Sequence, residues 1–289
     1  MKLSQGAVEV QTADISGVTI HVSRQMTSLR GDPKRALAEQ KIDVTTSSNE
    51  LRIQTRRDSS PLPRLQLGDV TDFYQITVPR KFSVDIDSGV GGIRVGSIEG
   101  DVSIRSAADG VAVERVDGNA ELVCSGGDIY VQEVTGPLKA RAAGGTISVG
   151  SALAGVEAKS SGGDIEVIYA GNPSVIKTAG GDISIASAGG ALEAKTAGGD
   201  IDVEFKESPK GDCDLSTAGG NIRVVLPTDV VANIDAKSSG GEVKTDFGQV
   251  VTNKAASSSF QSNIHGGGHA LRLRSSGGDI ALTTFKTSK

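Results

Sequence analysis

The sequence predicts an all-β fold, a parallel β-helix or β-solenoid with coils of about 18 residues that hold two short strands each. The first observation is a recurring phrase, seen as SSGGDIEV and TAGGDIDV. Its glycine pair returns every 18 residues, with first members at Gly126, Gly144, Gly162, Gly180 and Gly198. The phrase recurs downstream as TAGGNIRV, SSGGEVKT and SSGGDIAL, and in degenerate form upstream as GVGGIRV and AADGVAV. Such self-similarity indicates stacked coils.

The second observation is an alternation of side chains within each coil. In the coil from Gly155 to Asn172, it predicts strands over Val156–Ser160 and Asp164–Ile168. The positions predicted to face inward hold small or apolar residues in every copy. They include Val156, Ala158, Ser160, Ile165, Val167, Leu192, Ala194, Thr196, Ile201, Val203, Ile234, Ala236 and Ser238. These columns predict a narrow core between two sheets.

A left-handed hexapeptide helix, with three strands of six residues, also has 18 residues per coil. It requires an aliphatic residue at every sixth position. Stepping from Ile165 instead reaches Gly171 and then Lys177. The sequence therefore favours the coil with two strands.

The glycine pairs predict sharp corners that need either a positive φ or a close approach of two backbones. A basic and an acidic residue recur five positions apart across these corners. The pairs are Lys159 and Asp164, Lys177 and Asp182, Lys195 and Asp200, Lys237 and Glu242, and Arg274 and Asp279. Because identical charges stacked at strand spacing repel each other, we interpret these pairs as a neutralising ladder of lysine against aspartate.

Residues 1–85 show no clear period and are predicted to form a β-rich cap that begins the stack. Asp32-Pro33 followed by KRALAEQK predicts one short helix near 33–40. The remaining strands of the cap are predicted at Ala7–Val10 and Val18–Val22, as a hairpin-like pair, and at Ile42–Thr45, Leu51–Thr55 and Phe73–Val78.

Residues 86–289 are predicted to be the solenoid, continuous with the cap in one domain, with an uninterrupted stack from about 90 to 245. A long polar loop is expected near 249–263, before Ala270–Arg274 resumes the stack. As an irregular feature on a regular rod, this loop is our first candidate for a binding surface.

Composition narrows the function classes. The formal net charge of −5 predicts no nucleic-acid partner, and the lack of an 18-residue apolar run predicts no transmembrane segment. We also expect no signal peptide, because residues 1–10 lack a hydrophobic segment. Cys124 and Cys213 lie five coils apart, about 24 Å at strand spacing, so they are expected to be free core residues.

The sequence predicts no catalytic, cofactor-binding or metal-binding residues and no cofactor. His265 and His269 flank three glycines rather than sharing a helix face, and His21 is expected on the surface. The aspartate that follows each glycine pair occurs once per coil, whereas the calcium-binding nonapeptide needs its GGxGxD spacing throughout.

Several phrases, in their order along the chain, are similar to the DUF4097 family of adhesin-like β-solenoids. They are ITVPRKFSVDIDSG at 76–89, EGDVSIRS at 99–106, the SSGGDIEV series, SGGEVKTDFG at 239–248 and HGGGHALRLRSSGGDIAL at 265–282. The resemblance spans nearly the whole chain. It implies a β-helix fold and a setting in the bacterial cell envelope or outside the cell, and it carries no catalytic residues over.

Two functional classes follow. The first is a non-catalytic structural or adhesin-like module that binds a protein, a glycan or another copy of itself through its faces or ends. The alternative is a carbohydrate-active β-helix enzyme, either a polysaccharide lyase or a hydrolase. Such an enzyme needs clustered acids and bases with aromatic residues for sugar rings. Because Tyr74, Tyr130 and Tyr169 are the only tyrosines and the charges form simple ladders, we favour the non-catalytic module.

Overall fold

The computed structural model describes residues 1–26, 40–47, 50–57, 70–248, 251–252 and 258–286. Strands are the regular structure throughout these ranges, which contain no helix and therefore no helix able to span a membrane. The predicted all-β solenoid is confirmed. The helix predicted near 33–40 lies outside the described residues except for Gln40, which begins a strand.

The strands of the first 85 residues are β1 Lys2–Leu3, β2 Ala7–Ala13, β3 Thr19–Met26, β4 Gln40–Ser47, β5 Glu50–Arg57, β6 Val70–Pro79 and the start of β7 Val84–Ser88. The regular coils continue with β8 Ile93–Val95, β9 Val102–Ser106, β10 Val111–Val116, β11 Ala120–Cys124, β12 Ile129–Val134, β13 Leu138–Ala142, β14 Ile147–Ala152, β15 Val156–Ser160, β16 Ile165–Ala170, β17 Ser174–Thr178, β18 Ile183–Ile185, β19 Leu192–Thr196, β20 Ile201–Glu204, β21 Cys213–Thr217 and β22 Ile222–Pro227. The last strands are β23 Ala232–Ser238, β24 Val243–Thr245, β25 Val251–Thr252, β26 Ser258–Ile264, β27 Ala270–Ser275 and β28 Ile280–Phe285.

Each regular coil contributes one strand to each of two long sheets, which we call sheet A and sheet B. From β7 to β22 the odd-numbered strands lie in sheet A and the even-numbered strands in sheet B. Within this range, consecutive coils pair in parallel strand by strand, as Leu138 does with Val156 and Ile147 with Ile165. The prediction of two strands per coil is confirmed.

The inward side chains of both sheets form one hydrophobic core. The predicted inward columns are confirmed, since Ile165, Ile183 and Leu215 are at most 1% exposed. Burial of each such aliphatic side chain favours the folded state by about 1.5–3 kcal/mol. Cys124 and Cys213 are free and buried, and their strands are five positions apart in sheet A, as expected.

The first coil of the chain lies inside the stack rather than at its end. β1 pairs between β5 and β7, and β2 pairs between β6 and β8, all in parallel. The predicted β2–β3 hairpin is therefore wrong, because β6 lies between the two strands and β3 is antiparallel to β6. β2 pairs with β6 at one edge and with β8 at the other, so the chain crosses β6 before β3 adds to its far edge. The predicted strands of β4 and β5 pair antiparallel beside β1.

The last coil is inserted in the same way. β27 pairs between β21 and β23, and β28 pairs between β22 and β24. The prediction of an uninterrupted stack up to residue 245 is therefore wrong. The coil of β23 and β24 does not pair with β21 and β22, because the coil of β27 and β28 lies between them.

The loop expected near 249–263 is partly a strand. β26 runs antiparallel along β23 over seven residue pairs, and β25 pairs with β26. Ser258, Phe260 and Ile264 are buried, so this segment covers the edge that β23 would otherwise expose. The division of the chain at residues 85 and 86 stays a prediction.

Candidate functional site

The corners of the coils explain the glycine pair by close approach. A Cβ added at Gly163 would lie 2.2 Å from the carbonyl oxygen of Gly145, whereas one added at Gly162 would meet no atom within 3.8 Å. Neither residue has a positive φ. The second glycine of the pair therefore allows the next coil to stack, and it does not form a cradle for a ligand.

The aspartate after each glycine pair binds the backbone of the next coil. The Asp164 Oδ1 accepts the N–H of Asp182 at 2.8 Å, and the Asp182 Oδ1 accepts the N–H of Asp200 at 2.7 Å. Asn221 continues the series, since its Oδ1 accepts the N–H of Asp279 at 2.9 Å. An amide oxygen serves as well as a carboxylate, so the column is a hydrogen-bond ladder that joins consecutive coils.

The predicted pairing of lysine with aspartate across the corner is wrong. Lys159 instead contacts Glu157 on its own strand at 2.7 Å, and Arg141 on the preceding strand contacts the same carboxylate at 2.9 Å. Glu193 is held in the same way by Lys195 and Lys177. Residues two apart on a strand share a face, whereas the aspartates turn along the corner toward backbone N–H groups. Hydrogen bonds from Lys159 and then Arg141 lower the pKa of Glu157.

The histidines have separate partners. The His265 Nδ1 lies 2.8 Å from the carbonyl oxygen of Val230, and the His269 Nδ1 lies 3.6 Å from Asp212 Oδ1. His21 is exposed on β3. Within the described ranges, no three histidine, cysteine or acidic side chains are grouped so that they could hold a metal ion.

An open trough lies on the outward face of sheet B, across β6, β2, β8 and β10. Its floor is a row of residues without long side chains, Ala7, Gly92 and Gly110, which are linked by the backbone bonds Val8 N–H to Gly92 O and Ile93 N–H to Gly110 O. Phe73, opposite Ala7 in the register, lies at one end of this row. Asp128 lies at the other end, where its carbonyl oxygen accepts the N–H of Val111.

The side of the trough is the neighbouring row of outward residues, Glu9, Arg94, Ala112 and Tyr130, which lie opposite one another on successive strands. Tyr130 is 52% exposed, and the residues opposite it on both neighbouring strands, Ala112 and Ser148, have short side chains. The trough has a volume of about 520 Å³, within the usual range for small-molecule sites. A second concavity of about 570 Å³ continues on the far side of the same row.

Two polar groups of the trough are uncommitted. In the part of the chain that the structure describes, the Arg94 guanidinium and the Tyr130 hydroxyl have no hydrogen-bond or ion-pair partner. Arg115, on the same sheet, differs because it contacts Asp117 at 3.0 Å and Glu133 at 2.9 Å. Arg94 and Tyr130 are two strands apart, with Ala112 between them, so both can form new contacts with a ligand without first breaking existing ones.

Sequence reasoning did not single out the trough, although a signal for it was present. Gly92 and Gly110 occupy the position that holds aspartate in the regular phrase, as Asp128 does one coil later. The degenerate phrases GVGGIRV and AADGVAV therefore mark the coils in which the aspartate ladder is replaced by a floor without side chains. The candidate surface near 249–263 stays a prediction, since residues 249–250 and 253–257 lie outside the described ranges.

Comparison with known proteins identifies the family. The model of the family described as Toastrack DUF4097 matches residues 93–283, about two thirds of the chain. The chain belongs to the Toastrack DUF4097 family. The Toastrack match includes β8, β10 and β12 of the trough, whereas Ala7 and Phe73 precede it.

No curated protein matches this Toastrack chain. A solved structure with 8% sequence identity is described as a "putative cell adhesion protein" from Clostridium sporogenes ATCC 15579. It aligns over 98% of this chain and 91% of its own with a TM-score of 0.21.

Proposed function

We propose that this Toastrack chain is a non-catalytic, adhesin-like binding module of the cell envelope, and that it binds its partner in the sheet B trough. The observation that carries the proposal is the pair of exposed rings, Phe73 and Tyr130, at a trough whose Arg94 has no partner among the described residues. The envelope setting rests on what the family resemblance implies.

The solenoid supports this role by holding the trough rigidly. All the strands beneath it are paired on both sides, since β2 lies between β6 and β8, and β10 lies between β8 and β12. A preorganised surface loses little conformational entropy on binding, so even a shallow site can reach useful affinity.

The test is to fill the trough without disturbing the fold. A side chain can be added at Gly92, because its Cβ would meet only Gly110 O at 3.8 Å. We expect Gly92→Gln to abolish cosedimentation of the purified chain with bacterial envelope fractions while leaving the Tm unchanged. The matched control is Gly144→Gln, since a Cβ at Gly144 has no atom within 4 Å and lies at a corner outside the trough. Equal binding by both variants and the unaltered chain would contradict the proposal.

One observation favours the enzymatic alternative. Two carboxylates, Glu9 and Asp128, line the trough, and glycosidases use such pairs. Both already have partners, however, since Glu9 accepts the Gln11 amide at 2.8 Å and Asp128 accepts the Thr146 N–H at 2.8 Å. Release of soluble sugar fragments from envelope polysaccharide by the unaltered chain, lost in Glu9→Gln, would favour the enzyme over the binding module.

A further inference from the structure

We infer that the trough binds a neutral oligosaccharide chain lying along the solenoid axis, with sugar rings against Tyr130 and Phe73. The inference rests on the proposed binding function and gives its ligand class. It follows from the shape of the trough, from its hydrogen-bond donors and acceptors, and from the pairing of the strands beneath it on both sides.

The shape suits a narrow linear chain. Phe73 and Tyr130 are on β6 and β12, which are four strand spacings apart in sheet B, or about 19 Å along the stack. The row between Phe73 and Asp128 contains only Ala7, Gly92 and Gly110, so a chain that contacts both rings meets no long side chain on the floor. Aromatic faces offer apolar contact to the C–H faces of sugars while leaving the sugar hydroxyls free.

The hydrogen-bonding groups suit hydroxyls. Arg94 presents N–H donors that have no partner among the described residues, whereas Glu9 and Asp128 present carboxylate acceptors. A sugar hydroxyl both donates and accepts, so it can use both kinds of group. Because the carboxylates outnumber the guanidinium, the trough disfavours an acidic polysaccharide by like-charge repulsion.

The backbone argues against an extended peptide as the occupant. A peptide strand gains most of its affinity by pairing with a free sheet edge. The trough is on a sheet face, where β2, β8 and β10 are each paired on both sides. The strand backbones here therefore have no free ladder positions, and a ligand must bind through side chains such as Arg94, Glu9 and Tyr130.

The experiment is calorimetric titration of the full chain with short neutral oligosaccharides, namely cello-, chito- and manno-oligosaccharides. We expect at least one series to bind, Tyr130→Ala to weaken that binding at least about tenfold, and Tyr130→Phe to stay within about threefold. Tyr169→Ala is the control, because Tyr169 is a partly exposed tyrosine outside the trough. Tyr130 is half exposed, so its replacement should leave the Tm unchanged.

The outcomes separate the inference from the proposed function. If envelope proteins bind in a manner that Gly92→Gln abolishes and no oligosaccharide binds, the trough is a protein site and the sugar inference is overturned. A dimer of the chain that Gly92→Gln dissociates would overturn it in the same way. If no envelope fraction binds in a Gly92-dependent manner, the proposed function itself fails. Binding of an oligosaccharide that Tyr130→Ala leaves unchanged would also overturn the inference.

Discussion

At the scale of single residues, a buried hydroxyl supports the glycine corner in many regular coils, although Cys124 and Ala142 take the same position in two others. The Thr196 Oγ1 donates to the carbonyl oxygen of Gly181 at 2.9 Å and accepts the N–H of Gly199 at 3.2 Å. Thr178, Thr217 and Ser275 make the same pair of bonds in their own coils. These inward positions are polar because they satisfy backbone groups that the tight corner leaves unpaired.

A buried polar network joins β3 and β6 near the start of the chain. Asp72 is fully buried on β6, where it contacts Arg24 Nε of β3 at 2.9 Å and accepts the Tyr74 hydroxyl at 3.0 Å. Burial, followed by the charge of Asp72, raises the pKa of Tyr74 well above its usual range. Removal of the Arg24 guanidinium would leave the buried Asp72 carboxylate without its compensating charge.

The inward assignment of the columns gives the first stability prediction. Ile183 is 1% exposed, so Ile183→Asp places an unpaired charge in the narrow core and should cost roughly 3 kcal/mol or more. We expect the variant to unfold, or to show a Tm lower by many degrees, in thermal and urea denaturation followed by circular dichroism.

The control for this prediction is the next residue. Ser184 is exposed on the opposite face of the same strand, directly between Glu166 and Asp202 on the neighbouring strands. Ser184→Lys adds a charge that faces two carboxylates there, so it should not lower the free energy of unfolding. If the two variants were equally stable, or if Ser184→Lys were the damaging one, the facing of the strand would be reversed.

At the scale of strands and ladders, the sequence predicted where elements lie better than how their side chains pair. Strict alternation located β15 and β16 almost to the residue, because a two-residue period has one buried face. The spacing of Lys159 and Asp164 identified two charged columns but could not show rotamers. The aspartate turned to a backbone N–H, and the lysine therefore paired with Glu157.

The ion-pair ladder of sheet A gives a pH-dependent prediction. Hydrogen bonds from Lys195 and then Lys177 lower the pKa of Glu193 below its usual value. Because the folded pKa is the lower one, the stabilisation is present above the ordinary glutamate pKa and is lost as the pH falls through the folded pKa. Glu193→Gln should thus reduce stability by about 0.5 kcal/mol at neutral pH and have a negligible effect at a pH below both values.

The measurement is urea denaturation at neutral and at strongly acidic pH, each at low and high salt. Glu166→Gln on sheet B is the matched control, since among the described residues no ion pair holds Glu166. A loss of stability in Glu193→Gln that persists unchanged at acidic pH and in high salt would mean that the ion pairs are not its cause.

At the scale of the whole molecule, both ends of the solenoid are built from internal segments. The coil of β1 and β2 and the coil of β27 and β28 are each enclosed by neighbours on both sides. Among the described strands, antiparallel ones take three of the four outer positions, β3 and β4 at one end and β25, with β26 beside it, at the other. The fourth is β24 of sheet B, which is parallel to β28 and only three residues long. Short or antiparallel edge strands limit pairing with further chains, which would otherwise lead to aggregation.

The order of the last coils could not be predicted from the sequence for a physical reason. The phrases SSGGEVKT and SSGGDIAL have the same glycine pair and the same inward columns, so either one can stack on TAGGNIRV. What decides the order is β26, which covers β23 and so makes the coil of β23 and β24 the outer one. The trough could have been predicted from the sequence, because Gly92 and Gly110 stand where the regular phrase has aspartate. The exposure of Tyr130 could be seen only in the structure.

The order of the coils can be tested by cross-linking. Ser216 on β21 lies directly opposite Arg274 on β27, and Arg274 lies opposite Lys237 on β23. Directly opposed positions on neighbouring strands are about 4.8 Å apart, whereas Ser216 and Lys237 are two spacings apart, about 9.6 Å, which is beyond the reach of a disulfide. Mild oxidation should therefore bridge the double variant Ser216→Cys with Arg274→Cys and leave Ser216→Cys with Lys237→Cys reduced.

The native cysteines are buried and serve as an internal control for nonspecific oxidation. Peptide mapping would report the bridge directly. A bridge in the second pair and not in the first would mean that the coils stack in chain order, because only then would β23 be the neighbour of β21.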